Sequence, residues 1–305
     1  MRGETMKILN FGSLNLDYVY GVDHMVRPGE TLAASAMEVF CGGKGLNQSI
    51  ALARAGAEVY HAGLIGEEGE VLREAVARSG ADTSCIKTIA GKSGHTIIQV
   101  DKDGQNCILL YGGANRSVTK AFVDQVLSNF EKDDILLLQN EINELPYIID
   151  RAYEKGMKII LNPSPYDQNL DSCDFHKISM FLLNEIEGEQ ITGVSDPEEI
   201  LKRLKERFTG LKVVLTLGSQ GAVYQDQEQC CRQGIYHVEA VDTTGAGDTF
   251  TGYFIASMIR GEEPQKCLAL AAKASAIAVS RAGAAPSIPE REEVLKIKLT
   301  EKKEI

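Results

Sequence analysis

The stretch DTTGAGDTF, residues 242–250, packs two aspartates, three threonines and two glycines into nine positions. It follows an apolar stretch and precedes YFIASMI, which reads as a helix. Glycines at a helix start let an anion approach the backbone, where the first amides have no intrahelical acceptor. The spacing is neither G-x-x-x-x-G-K-[ST] nor G-x-G-x-x-G. If Gly245, Ala246 and Gly247 present successive amides, they form an anion hole suited to the charge on a transferring phosphoryl group. An aspartate at the end of that hole has the wrong charge for gripping phosphate. Asp248 is suited instead to accept a proton from an attacking hydroxyl, and so reads as a general base. A plain N-cap accounts for Asp248 alone but not for the ensemble.

A second glycine-dense stretch, CGGKGLNQS (41–49), opens a helix that runs to Arg54. Its amides can meet an electronegative ligand, Lys44 is a compact donor, and Asn47 one turn on can hydrogen-bond hydroxyls. Taken alone, a tight turn explains it as well.

The elements that position these residues are legible from periodicity. The apolar runs ILLLQ (135–139), KIILN (158–162), SMFLLN (179–184) and KVVLTLG (212–218) read as strands. Between them AFVDQVLSNF, LPYIIDRAYEKG and PEEILKRLKERF carry apolar residues at three- and four-residue spacing. Doubly buried strands alternating with helices imply a parallel sheet with right-handed crossovers. KILNFG (7–12) and EVYHAGLIG (58–66) join it, with the helix LNQSIALARAG between them. Ligands of such sheets bind outside the carboxyl ends of the strands. That rim collects Asn15, Asp17, Glu141, Asn162, Asn184, Glu187, the turn Thr216–Gly221 and DTTGAGD. HTIIQV-DKDG-QNCILLY (95–111) reads as a hairpin, and ETLAASAMEVF (30–40) as a further strand. Together they form a small antiparallel sheet, a lid. The tail EREEVLKIKLTEKKEI reads as a solvated helix.

Composition sets outer limits. The 305 residues are 44% hydrophobic and 25% charged, ample for a globular core. A net charge of -11 argues against a nucleic-acid or anionic-membrane surface but leaves room for a small phosphorylated ligand. No apolar run has the length of a membrane span, and charges interrupt the N-terminus where a signal peptide has its apolar core. Seven scattered cysteines without C-x-x-C read as reduced thiols of a cytoplasmic protein.

The motifs taken together resemble the ribokinase-like (pfkB-type) sugar kinases, from about Lys7 to Glu293. GSLNLD (12–17), GGKGLNQ (42–48), LQNE (138–141), NEIE (184–187), TLGSQG (216–221), VDTTGAGDTF (241–250) and AIAVSRAGAAPSIP (276–289) follow the family's order. The resemblance implies a three-layer α/β/α domain with a mostly parallel central sheet, formed by 1–14, 42–94 and 113–305. It implies a β lid from 15–41 and 95–112, through which the chain forms a homodimer. It also implies that Asp248 activates a sugar hydroxyl over the amides of Gly245, Ala246, Gly247 and Asp248. Asn15, Asp17, Gly43, Lys44, Gly45, Asn47 and Glu141 would hold the sugar. Asn184, Gly247 and the turn Thr216, Leu217, Gly218, Ser219, Gln220 and Gly221 would contact ATP, while Glu187 positions hydrated Mg2+. Asp242, Thr244, Ala278, Arg281, Gly283 and Ser287 match a monovalent-cation site, implying activation by K+. The family varies at its adenine contacts, so no residues are assigned there. One departure is GEEGEVL (66–72), shorter than the family's segment at that place and near the sugar end.

The implied reaction is transfer of the γ-phosphoryl group of ATP to the 5-hydroxyl of D-ribose. The same chemistry on fructose, 2-keto-3-deoxygluconate or a ribonucleoside is the alternative. Asn15, Asp17, Lys44, Asn47 and Glu141 suit a hydroxyl-rich neutral pentose, and no extra arginine in the motifs awaits a sugar-acid carboxylate. Loss of Asp248 would mark a non-catalytic sensor, and a dehydrogenase would need G-x-G-x-x-G after the first strand.

Overall fold

The computed structural model describes residues 6–302. The charged extreme N-terminus and the last three residues of the tail lie outside the described residues. The strands in the first half are β1 (Ile8–Phe11), β2 (Asn15–Gly21), β3 (Ala36–Gly42), β4 (Val59–Ile65), β5 (Asp82–Thr88), β6 (Gly94–Val100) and β7 (Asn106–Tyr111). Those that follow are β8 (Ile135–Gln139), β9 (Lys158–Asn162), β10 (Met180–Asn184), β11 (Lys212–Thr216), β12 (Ala222–Gln225) and β13 (Cys230–Gln233). The helices are α1 (Lys44–Arg54), α2 (Glu70–Arg78), α3 (Lys120–Leu127), α4 (Leu145–Lys155) and α5 (Glu185–Thr192). They continue with α6 (Pro197–Arg207), α7 (Ala246–Ile259), α8 (Pro264–Val279) and α9 (Arg291–Lys296).

The large sheet runs β13-β12-β11-β10-β9-β8-β1-β4-β5. Its pairs from β5 to β11 are parallel, and β12 and β13 add an antiparallel edge. Alternation along each strand feeds two cores. Ile8, Ile135, Leu137, Ile160 and Val214 pack with α1, α7 and α8 on one face. Leu9, Phe11, Leu136, Leu138 and Val213 pack with α3, α4 and α6 on the other. The chain builds outward from β1 to β5, then returns to β8 on the opposite side of β1. The crevice where strand order reverses therefore opens beyond Phe11 and Gln139.

The second sheet has the order β3-β2-β6-β7. Its outer pairs, β2 with β3 and β6 with β7, run antiparallel, while β2 and β6 meet along a parallel seam. Only Gly12–Leu14 separate β1 from β2, and β3 leads directly into α1. Both strands thus leave the main domain at the crevice. The strand in 30–40 begins later than its residue types suggest, at Ala36, because residues 30–35 form no ladder. The tail also differs from the sequence expectation. It is helical only over Arg291–Lys296, with Val294 buried. Beyond that it extends and pairs with the chain after β13, through Tyr236 and Glu301. Among the described residues no helix is long and apolar enough to cross a membrane.

Candidate active site

The expected helix after DTTG is α7, which starts at Ala246 with Gly245 as its N-cap. Its two glycines answer different needs. Gly245 adopts φ +75°, and a Cβ there would lie 3.1 Å from the Cα of Ala284. A Cβ on Gly247 would meet nothing, so its absence leaves open space over the helix end. The Ala246 amide is taken by the Thr243 carbonyl at 3.2 Å. The amides of Gly247 and Asp248 have no backbone acceptor among the described residues, as expected in a first helical turn. The Gly245 amide has no acceptor among them either, so the expected series is interrupted at Ala246, with the amides of Gly245, Gly247 and Asp248 left free.

Asp248 is 7% exposed. Its Oδ2 accepts from Asn47 Nδ2 at 3.0 Å, and its Oδ1 from Gln48 Nε2 at 2.9 Å. Asn47 keeps a buried Oδ1 with no partner among the described residues. α1 begins at Lys44, with Gly43 as N-cap at φ +94°. Burial alone would push the Lys44 ammonium down. The carboxylates of Asp248, Glu141 and Glu187 outweigh it and raise the pKa, so Lys44 stays charged. Gly45 serves packing, since a Cβ there would lie 2.4 Å from the Ser13 amide nitrogen.

Three cavities follow the rim. The largest, about 470 Å³, is lined by Thr216, Gly218, Ser219, Gly221, Tyr236 and His237, with Ala276 and Val279 of α8 opposite. Leu217 and Gln220 turn away from it toward Arg232 and Gly234. A cavity of about 220 Å³ shares Thr216, Thr243 and Gly247 with the first and adds Lys44, Asn162, Asn184, Glu187 and Asp248. Asn184 and Glu187 hold each other in a capping box at the start of α5, with bonds of 3.0 and 2.8 Å. The third, about 260 Å³, is lined by Asn15, Asn115, Arg116 and Glu141.

Asp17, Gly43 and Asn47 line none of these cavities. Asp17 Oδ1 accepts from Thr96 Oγ1 at 2.6 Å, across the parallel seam. A Cβ on Gly42 would lie 1.9 Å from Asp17 Oδ2, so glycine lets that carboxylate rest against the backbone. Burial pushes the Asp17 carboxyl up, against a smaller downward pull from Thr96. Glu141 accepts from the Lys44 amide at 2.9 Å and from Ser13 Oγ. Burial raises its pKa too, over the opposing effects of Lys44 and Ser13. The short segment 66–72, whose last three residues open α2, is tied to the chain just before β6 by Glu68, whose Oε1 accepts from the Ser93 amide at 3.0 Å. It lines none of the three cavities.

The structure brings the two halves of the expected cation site together. Asp242 accepts from the amides of Thr244 and Gly283, both at 2.9 Å. Its pKa is lowered, because these bonds outweigh the largest single effect, burial. Ser287 Oγ donates to the Ala284 carbonyl, Ala278 accepts from the Arg281 amide, and the Arg281 guanidinium pairs with Glu293.

Sequence reasoning left several participants unassigned: Gln48, Asn115, Thr96, and the segment Tyr236–Val238 of the large cavity. Asn115 holds the Asn15 Oδ1 at 2.7 Å. A signal was present for Gln48, a large polar residue inside a helix face that otherwise reads as buried. None marked the Tyr236–Val238 segment, whose place depends on long-range packing.

A buried carboxylate beside free helix amides, on the wall of a small polar cavity that adjoins a larger, mostly apolar one, is an arrangement with the chemistry to support phosphoryl transfer to a hydroxyl. A family model described as pfkB family carbohydrate kinase matches residues 5–291, and the chain belongs to that family. It is 34% identical to the ribokinase of Haemophilus influenzae over 96% of this chain and 97% of that one. It is 28% identical to the deoxyribokinase of Salmonella typhi, over 94% and 97%. Among solved structures, Arabidopsis thaliana ribokinase complexed with ribose and ATP matches with a TM-score of 0.85 at 30% identity, covering 96% of this chain and 98% of that one.

Proposed function

We propose that the protein transfers the γ-phosphoryl group of ATP to the 5-hydroxyl of D-ribose. The observation that carries this reading is Asp248, buried at the mouth of α7, with free amides beside it, on the wall of the 220 Å³ cavity that adjoins the 470 Å³ one. The relatives above support the choice of sugar. Adenosine occupies the 470 Å³ cavity between the Thr216–Gly221 turn and α8, with Tyr236 and His237 along one side. The triphosphate runs along the shared wall into the smaller cavity, toward the amides of Gly247 and Asp248. Ribose lies between Asn15 and Asp17 on the lid side and Glu141 and Asp248 of the main domain. The unpaired Asn47 Oδ1 is an acceptor for a sugar hydroxyl.

In the reaction, Asp248 takes the proton of the 5-hydroxyl as its oxygen bonds to the γ-phosphorus. The bond from that phosphorus to the bridging oxygen breaks, and ADP leaves with the electron pair. Lys44 and the α7 amides offset charge on the transferring group. No cluster of three or more His, Cys, Asp or Glu among the described residues holds a metal by itself. Mg2+ needs none, since it binds through phosphates, water and one or two carboxylates; Glu187, on the wall of the smaller cavity, would help position the hydrated ion. The ion supplies charge neutralisation across the phosphates. A coupled assay over pentoses, hexoses, sugar acids and nucleosides tests the reading, with D-ribose expected to lead.

K+ is proposed to bind between Asp242–Thr244 and the segment Ala278–Ser287. Arg281 would offer only its carbonyl, its guanidinium being paired. A cation there stiffens the turn that ends at Gly245 without touching substrate. Rates should fall in K+-free buffer and recover with K+ more than with Na+ at equal ionic strength. Indifference to the cation would remove the site.

The lid sheet is proposed as a homodimer contact. Its edge strand β7 exposes Ile108, Leu109, Leu110 and Tyr111, with Leu109 67% exposed, and Met37, Val39 and Ile97 add to the apolar surface. Leu109→Glu should sediment as a monomer where the unaltered protein sediments as a dimer. A monomeric parent would end the proposal. A cytoplasmic setting fits the seven unpaired thiols.

A further inference from the structure

Polar side chains inside doubly covered strands are costly unless every group finds a partner. Three central strands carry one each on the face toward α1: Asn10 of β1, His61 of β4 and Gln139 of β8. All three, with Gln48 and Ser49 of α1 above them, are at most 1% exposed. They form one continuous row. Gln48 Nε2 donates to Asp248 Oδ1 at 2.9 Å and to Asn162 Oδ1 at 3.2 Å. Its Oε1 accepts from Gln139 Nε2 at 2.7 Å, and Gln139 Nε2 also donates to Asn10 Oδ1 at 3.0 Å. Asn10 Nδ2 donates to the Gly45 carbonyl and to Ser49 Oγ, each at 2.8 Å. Ser49 Oγ lies 2.8 Å from His61 Nδ1. Burial pushes the His61 imidazole down to about 4, against a smaller upward pull from the Gly12 carbonyl, so the row ends on a neutral ring.

We propose that Gln48 is a positioning residue for Asp248, and that the row behind it keeps the Gln48 amide from turning over. This rests on the reading of Asp248 as the base. Gln48 can point its nitrogen at Asp248 only while its oxygen is occupied by a donor from the other side. Gln139 supplies that donor, and Asn10, accepting from Gln139, fixes its amide in turn. Asn47 holds the second oxygen of Asp248. Two consecutive residues of α1 therefore clamp both oxygens of a carboxylate 200 positions away, and orient its free lone pairs toward the sugar side. Gln48 is fully buried and both ends of its amide are committed to protein partners, Asp248, Asn162 and Gln139, so it acts through Asp248 rather than on substrate. The competing account is that the row only fastens α1 to the sheet.

The two accounts separate in a double-mutant cycle on the full chain. Gln48→Leu removes the donor, and Gln48→Glu keeps the shape while placing an acceptor against an acceptor. Both variants should lower kcat by about 10- to 100-fold with KM for ribose and for ATP within about threefold. Glu should be the worse of the two, and its matched size keeps the test available if the Leu variant fails to fold. Thermal unfolding confirms that the variants assayed are folded. In an Asp248→Asn background the same changes should cost less than about threefold, because the group being positioned is gone. Folded variants with kcat within twofold of the parent would overturn the proposal. So would losses of equal size in both backgrounds, which is what fastening of α1 alone would produce. Near-normal activity of Asp248→Asn itself would sink the base reading instead, and this proposal with it.

Discussion

Asparagine in place of Asp248 is expected to lower kcat by at least ~10²-fold, the low end of general-base effects, with KM for sugar and ATP changed little. The substitution preserves size and removes basicity. It also replaces two acceptors by one acceptor and one donor group, facing Asn47 and Gln48, both of which now donate. Gln48 cannot turn over, because its oxygen is committed to Gln139. Asn47 can, because its Oδ1 is unpaired. The new amide should therefore direct its oxygen at Gln48 and its nitrogen at a rotated Asn47, and the fold should survive with a small cost in stability. Steady-state kinetics across pH 6 to 9, with a thermal melt of the same preparation, checks this. A kcat near that of the parent anywhere in that range refutes the assignment.

The second large effect is expected from Asp17→Ala, read against the choice of sugar. Asp17 has one oxygen on Thr96 and the other beside Gly42, in a setting that burial makes unfavourable for its charge. Two vicinal hydroxyls can donate into that carboxylate; a sugar lacking one leaves it partly unpaired. Such a loss costs about 1–3 kcal/mol, or roughly 5- to 150-fold in kcat/KM. Ribose should therefore exceed 2-deoxyribose by at least about tenfold, and Asp17→Ala should cost ribose about 10²-fold while narrowing the gap between the two. The comparison matters because one relative is a deoxyribokinase. Measuring kcat/KM for ribose, 2-deoxyribose, fructose, 2-keto-3-deoxygluconate and adenosine with both enzymes decides it. If 2-deoxyribose matches ribose, or fructose or adenosine leads by tenfold, the ribose reading fails while sugar phosphorylation stands. Because Asp17 sits on the lid side and Asp248 on the main domain, sugar bridging them would also draw the lid over the site and exclude water.

Much of this arrangement was written locally. ILLLQ, KIILN and SMFLLN are strands because short apolar runs between helical periods can bury both faces only in a covered parallel sheet. The hairpin at 95–111 followed from alternation around a turn. Gly245 and Gly247 announced a helix end open to an anion, because the absence of a Cβ has the same meaning wherever the chain goes. Asp248 stood out because its charge contradicted that meaning. Tertiary structure decided what joins residues far apart. Nothing local sets β8 beside β1, or makes β2 and β6 run parallel, since strand order depends on which crossovers pack. The tail extends past Lys296 because the chain after β13 offers it backbone partners, His237 donating to the Thr300 carbonyl and Lys302 to the Ile235 carbonyl, where a short unpacked helix would be marginal. The clamp on Asp248 belongs to the same class. Asn10, Gln139 and His61 are each visible as a polar residue in an apolar strand, yet which amide faces which oxygen is settled only once three strands and α1 are stacked, because a buried hydrogen bond needs its two ends within about 3 Å.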